Sequence, residues 1–186
     1  MSKSAVDTLA LSLDIYEALD LIEGNVDTIL LFNPQPLLLS YRNTILIHTK
    51  GYPDRDSAEG IDESTMLDEY LKLQGETRES YPAWAIVAIA DISGYVIYDE
   101  KSFKDEENRH LVEDPLVVYT AKCGLMGETL YGFRLTNVHV LVPPVYDVFP
   151  YVEVQSGEFW LADHPLTLEA FKMALKAVKT EPIEAQ

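Results

Sequence analysis

Basic residues are scarce in this chain: 14 Lys and Arg stand against 31 Asp and Glu, a formal net charge of −17 over 186 residues. Non-specific affinity for nucleic acid comes mainly from phosphate neutralisation by Lys and Arg. A general polyanion binder is therefore excluded, and any basic face must be small and local. Cysteine is rarer still. Cys123 alone permits no internal disulfide and suits a reducing compartment, so a cytoplasmic location is expected. The four histidines show no paired metal-ligand spacing, and no Gly-rich phosphate loop or Gly-x-Ser-x-Gly elbow occurs. Neither a metal nor another cofactor is expected. The longest apolar run, 83–98, is interrupted by Asp91 and Gly94 and is too short and too β-branched for a membrane span. Asp7 and Asp14 break any basic-then-apolar leader pattern in the opening residues.

What remains is an ordinary globular composition, with 47% apolar and 24% charged residues, long enough to bury one core without covalent staples. A single domain over 1–186 is expected. Its acids are not spread evenly. Nine acids against Arg55, Lys72 and Arg78 fall in 53–80, and seven against Lys101, Lys104 and Arg109 fall in 99–114. Both acidic stretches separate apolar segments, as solvated insertions on a compact body would.

The apolar segments read mostly as strands. Alternation predicts a strand over 8–13, and Ile15, Leu19 and Ile22 at helical spacing predict a helix that Gly24 stops. Strands are expected at 27–32 and 44–48, with 37–39 leading into the second. A helix with Met66, Leu67, Tyr70 and Leu71 on one stripe is expected at 63–73. The near-continuous apolar stretch 84–92 predicts a strand buried on both faces, with Ile86 or Val87 in the core. Ser93-Gly94 then predicts a turn before a second limb at 96–98. Further strands are expected at 116–120, 131–135, 138–142 and 159–161. The tail 165–180 places Leu168, Phe171, Leu175 and Val178 on one helical face, predicting a helix docked on the sheet.

In that order the segments EGNVDTILLFNPQPLLLSYRNTILIHTKG, YPAWAIVAIADISGYVIYD, LYGFRLTNVHVLVPPV and SGEFWLAD resemble the ASCH domain of the PUA-like superfamily. The resemblance covers most of 9–163. It implies an α+β fold, a small mixed β-barrel with flanking helices, and a cleft that handles RNA or modified nucleosides. The family signature is close to Gly-x-Lys-x-x-Glu-x-Arg, whose Lys and Glu act as acid and base in members that hydrolyse acylated cytidine. From Gly24 the signature positions fall on Val26, Ile29 and Leu31, or with one inserted residue on Asp27, Leu30 and Phe32, with Thr28 matching a common Thr. Amide hydrolysis needs a general base and an oxyanion-stabilising group, and aliphatic side chains supply neither. The resemblance therefore implies non-catalytic recognition of RNA or a nucleoside-like ligand.

The candidate cleft residues are Asp27, Thr28, Arg42, His48, Lys50, Tyr131, Arg134 and Trp160. Arg42, Lys50 and Arg134 form the expected basic focus, and Tyr131 and Trp160 the surfaces on which a base would stack. Two alternatives stand beside this reading. One is an amidohydrolase of acylated nucleosides using Asp27, Thr28, His48 and Lys50 as substitutes. The other is a protein-interaction module whose acidic insertions hold a basic protein partner.

Overall fold

The computed structural model describes residues 8–52, 58–73, 75, 77–78, 82–110, 112, 114–150, 157–163 and 165–180. The chain runs β1 (Leu9–Leu13), α1 (Ile15–Glu23), β2 (Thr28–Phe32), α2 (Pro36–Ser40), β3 (Thr44–Thr49), α3 (Ala58–Leu73), β4 (Ala85–Ile97), α4 (Glu100–Asp105), α5 (Glu107–His110), α6 (Pro115–Tyr119), a π-helical turn Thr120–Leu125, β5 (Leu130–Val145), β6 (Glu158–Leu161) and α7 (Pro165–Thr180). The strands form one sheet in the order β2-β5-β4-β3-β1-β6, in which β1 and β3 are parallel and the other neighbours antiparallel.

The sheet curls into a half-barrel. Register shifts along β4 and β5 supply the bend, because an extra residue on one strand tightens the local twist. Curling brings the two outer strands towards each other. Phe159 of β6 lies 6.1 Å from Phe133 of β5, and a Cβ on Gly157 would stand 3.8 Å from the Leu30 carbonyl of β2.

Strand alternation sorts the core into two layers. Leu9, Leu11, Leu13, Ile45, Ile47, Val87, Phe133 and Leu135 fill the concave side, closed by Ala18 and Leu21 of α1. Ala10, Leu46, Ile86, Ile89 and Trp160 face the other way, under Phe171 and Leu175 of α7. Ile45, Leu46 and Ile47 are each fully enclosed, and each such aliphatic side chain contributes about 1.5–3 kcal/mol by burial. Helix α1 starts where the Glu17 carboxylate accepts from the Asp14 amide at 3.2 Å, and ends at Gly24, whose φ of 78° is left-handed.

Several segments differ from the sequence reading. Residues 116–120 were expected as a strand on the strength of Leu116, Val117 and Val118. They instead form α6, with Pro115 supplying the first helical φ, and leave Val117 66% exposed. Residues 36–40 are the helix α2, also opened by a proline. Ser93-Gly94 is a register shift inside a continuous β4 rather than a turn, and β5 is one strand rather than two, passing through Asn137 at φ 52°. Asn tolerates that conformation better than most residues.

The acidic segments also contribute interior. Leu67 and Leu71 of α3 pack on Ile15 and Leu19 of α1, whereas Met66, read on the same stripe, is exposed. In 99–114, read as solvated, Phe103 and His110 are buried and Phe103 joins Tyr98 and Leu130 in a cluster of their own.

Candidate functional site

Three of the eight candidate residues meet on the convex side of β2 and β5. Thr28 and Arg134 are cross-strand partners, and Asp27 immediately precedes β2. The Thr28 hydroxyl donates to Asp27 Oδ1 at 2.7 Å and accepts from Arg134 Nη1. Arg109 of α5 grips Asp27 with both limbs of its guanidinium, Nε to Oδ1 at 2.9 Å and Nη2 to Oδ2. Arg134 Nη2 reaches Glu106, which also accepts from the Tyr98 hydroxyl at 2.7 Å. Gly132 makes room: a Cβ there would lie 2.5 Å from the Tyr98 ring and 2.9 Å from Thr28 Cγ2.

The charges in this network compensate one another. The Arg109 hydrogen bond holds the Asp27 carboxyl below the usual carboxylate range against the opposing effect of burial. For Glu106, burial alone would raise the pKa, but hydrogen bonds from Tyr98 and Arg134 outweigh it and the net shift is downward. Burial, reinforced by Glu106, pushes the Tyr98 phenol up. Tyr98, Glu106 and Arg109 were not among the sequence candidates. They come from the end of β4 and the 99–114 segment, 82 residues beyond Asp27 in the case of Arg109, and one sequence gives no signal of that pairing.

His48 and Trp160 lie elsewhere, in the interior beneath α7. Trp160 Nε1 donates to Ser12 Oγ at 3.0 Å, and Ser12 Oγ meets His48 Nδ1 at 2.9 Å. His48 Nε2 meets the Val148 carbonyl at 2.9 Å. A carbonyl only accepts, so Nε2 carries the proton and Nδ1 accepts from the serine hydroxyl. Burial pushes the His48 pKa down to about 4, against the hydrogen bond to Val148. Both rings are enclosed, His48 completely and Trp160 to within 8%.

Lys50 pairs with Asp14 at 3.3 Å beside the end of β3. Arg42 and Tyr131 meet through a third residue. The Arg42 guanidinium sits 5.4 Å over the Tyr95 ring, and Tyr95 lies 5.6 Å from Tyr131. Arg42 is exposed and edges a hollow of about 490 Å³ whose walls include Asn43, Thr44, Asp91, Ser93, Thr136 and Phe171. Asp91 is oriented there by Asn137 Nδ2 at 2.9 Å and by the Thr44 hydroxyl at 2.5 Å. Among the hollow's lining residues Arg42 is the one cation. Among the described residues no group of three or more His, Cys, Asp or Glu is arranged to hold a metal, and no helix is long and apolar enough to cross a membrane.

No protein-family model and no curated protein matches the sequence. Solved structures do match. A serine-to-alanine mutant of the ASCH protein from Zymomonas mobilis aligns over 90% of this chain and 96% of its own, at 13% identity and a TM-score of 0.52. The ASCH protein of that organism without the substitution aligns over 90% and 94%, at 12% identity and a TM-score of 0.51. Identity this low speaks to fold, and the agreement extends over nearly the full length of each protein. The chain shares the fold of these ASCH proteins.

Proposed function

We propose that this domain is a non-catalytic recognition module that takes RNA or a nucleoside-like ligand at the hollow edged by Arg42. The observation that carries the reading is the exposed Arg42 guanidinium lying over Tyr95, with Tyr131 behind it, at the rim of a hollow walled by hydroxyl and amide groups. A nucleoside offers what such a wall can use: a flat ring for the arginine–aromatic stack, amide-like edges for Asn43, and ribose hydroxyls for Asp91, Thr44 and Ser93. Base–aromatic stacking contributes roughly 1–3 kcal/mol per base and requires little charge, which suits a chain carrying −17.

The hydrolase alternative has less support. Of its four substitute residues, Asp27 and Thr28 are consumed by the arginine network, His48 is enclosed, and Lys50 is paired with Asp14. A carboxylate whose pKa is depressed by an arginine is also a weaker base.

Equilibrium titration of nucleosides and short single-stranded RNA at low salt, with the wild type and Arg42→Ala, tests the proposal. The expected outcome is binding that Arg42→Ala weakens, with a shallow log–log salt slope of about −0.7 for one phosphate contact to a single strand. Absence of binding to every nucleoside and RNA tried would sink the reading, and salt-sensitive capture of a basic protein would favour the interaction-module alternative.

A further inference from the structure

At the other end of β3 from Arg42 an aromatic pair stands in the open. Trp84 is 38% and Phe149 59% exposed, with ring centroids 5.3 Å apart. Trp84 has a left-handed backbone, φ 52°, which is an outlier for a bulky side chain and carries a cost of order 1–3 kcal/mol. The neighbours enforce it. Its amide donates to the Lys50 carbonyl at 3.4 Å and its carbonyl accepts from the Val148 amide at 2.9 Å. The indole closes down on Gly51, where any Cβ would meet Trp84 Nε1 at 2.8 Å, and His48 lies 6.1 Å from it. Strain, a glycine and two backbone hydrogen bonds thus hold a large flat ring in one place without burying it. Lys50, the adjacent cation, keeps about a quarter of its side chain in solvent while pairing with Asp14.

We propose that Trp84, backed by Phe149, is a second stacking surface, which takes an unpaired nucleobase. The inference rests on the reading of the domain as a binder of nucleoside-like ligands, and it adds a position separate from the Arg42 hollow. A neutral π-face suits an acidic molecule, because stacking pays little attention to the field that repels a phosphate chain. The ligand that uses both positions is a short single strand rather than a free nucleoside.

The chain has two tryptophans, and Trp160 is buried, so quenching by an added base reports on Trp84. Adenosine, octa-adenylate and an arginine-rich peptide serve as probes at low salt. Octa-adenylate is expected to quench the emission and to bind more tightly than adenosine. Trp84→Gly relieves the left-handed strain, so its thermal midpoint should hold near that of the wild type while octa-adenylate affinity falls about 5- to 150-fold. Trp84→Leu, which keeps an apolar side chain but no flat ring, should weaken octa-adenylate binding as well. Octa-adenylate binding that leaves the emission unchanged and is equal in both variants overturns this inference and leaves the Arg42 hollow standing. Absence of binding by the wild type overturns both. Quenching by the peptide alone assigns the surface to a protein partner and overturns it too.

Discussion

His48 gives the sharpest pH test of the fold. Its ring is fully enclosed, its Nε2 proton is committed to Val148 and its Nδ1 to the Ser12 hydroxyl. The folded pKa is about 4, against 6.5 for a free histidine. Because the folded value is the lower one, the unfolded chain binds a proton that the folded chain refuses between pH 6.5 and 4. Stability present above 6.5 is therefore lost as pH falls through that window, at about 1.4 kcal/mol per pH unit for one group. The limiting loss is about 3 kcal/mol, and about 2 kcal/mol of it falls between about pH 7.5 and about pH 5. His110 is shifted downward by burial too and adds slope of the same sign. Asp27 and Glu106, both depressed, begin to lose their contribution only at or below their unperturbed values of 3.8 and 4.5. The assay is urea unfolding at half-unit pH steps for the wild type and for His48→Gln, which has a donor and an acceptor and does not titrate. The variant is less stable at neutral pH, and the gap between the two proteins narrows as pH falls. A gap that stays constant from neutral pH down to about pH 5 would refute the buried, neutral assignment.

Two further perturbations probe packing. Gly132→Ala drives a methyl into the Tyr98 ring and Thr28, and overpacking of this kind costs about 1–3 kcal/mol; an unchanged thermal midpoint would show that Tyr98 moves aside freely. Leu67→Ala opens a cavity between α3 and α1 and should cost about 2–5 kcal/mol. Met66→Ala, on an exposed neighbour, should stay within about 0.5 kcal/mol. Equal effects from the two would mean that α3 does not dock through Leu67.

The strands with continuous or alternating apolar residues were legible in the sequence because burial dictates that pattern. Ile86 and Val87 are core residues of β4 as their run suggested, and Gly24 ends α1 where the helical spacing stops. Helix α6 was misread because a β-branched run at 116–118 outweighed Pro115, although a proline at a first helical position is as informative as the side chains after it. The candidate residues were only partly assembled by sequence. Asp27, Thr28 and Arg134 converge because β2 and β5 pair in register. His48 and Trp160 share their face of the sheet but sit on β3 and β6, across the sheet from β2 and β5, where they are enclosed beneath α7. Glu106 and Arg109 could not have been chosen. Arg109 reaches Asp27 across 82 residues and Glu106 meets Arg134 across 28, and in a stretch so acidic nothing separates an arginine that clasps a barrel from one that is solvated.

The seat of β1 between β3 and β6 sets the order in which the protein can be completed during synthesis. One edge of β1 pairs with 46–49, but the other waits for β6, whose Leu161 lies opposite Leu9. The Ser12–Trp160 hydrogen bond closes a loop of 148 residues. Until that last strand leaves the ribosome, an apolar strand made early presents unpaired amides and carbonyls to whatever is nearby, the condition under which nascent chains cross-pair. Contacts of such long sequence separation also slow folding. A ribosome stalled before residue 158 would display a sheet one strand short, and its nascent chain is the form most in need of a chaperone.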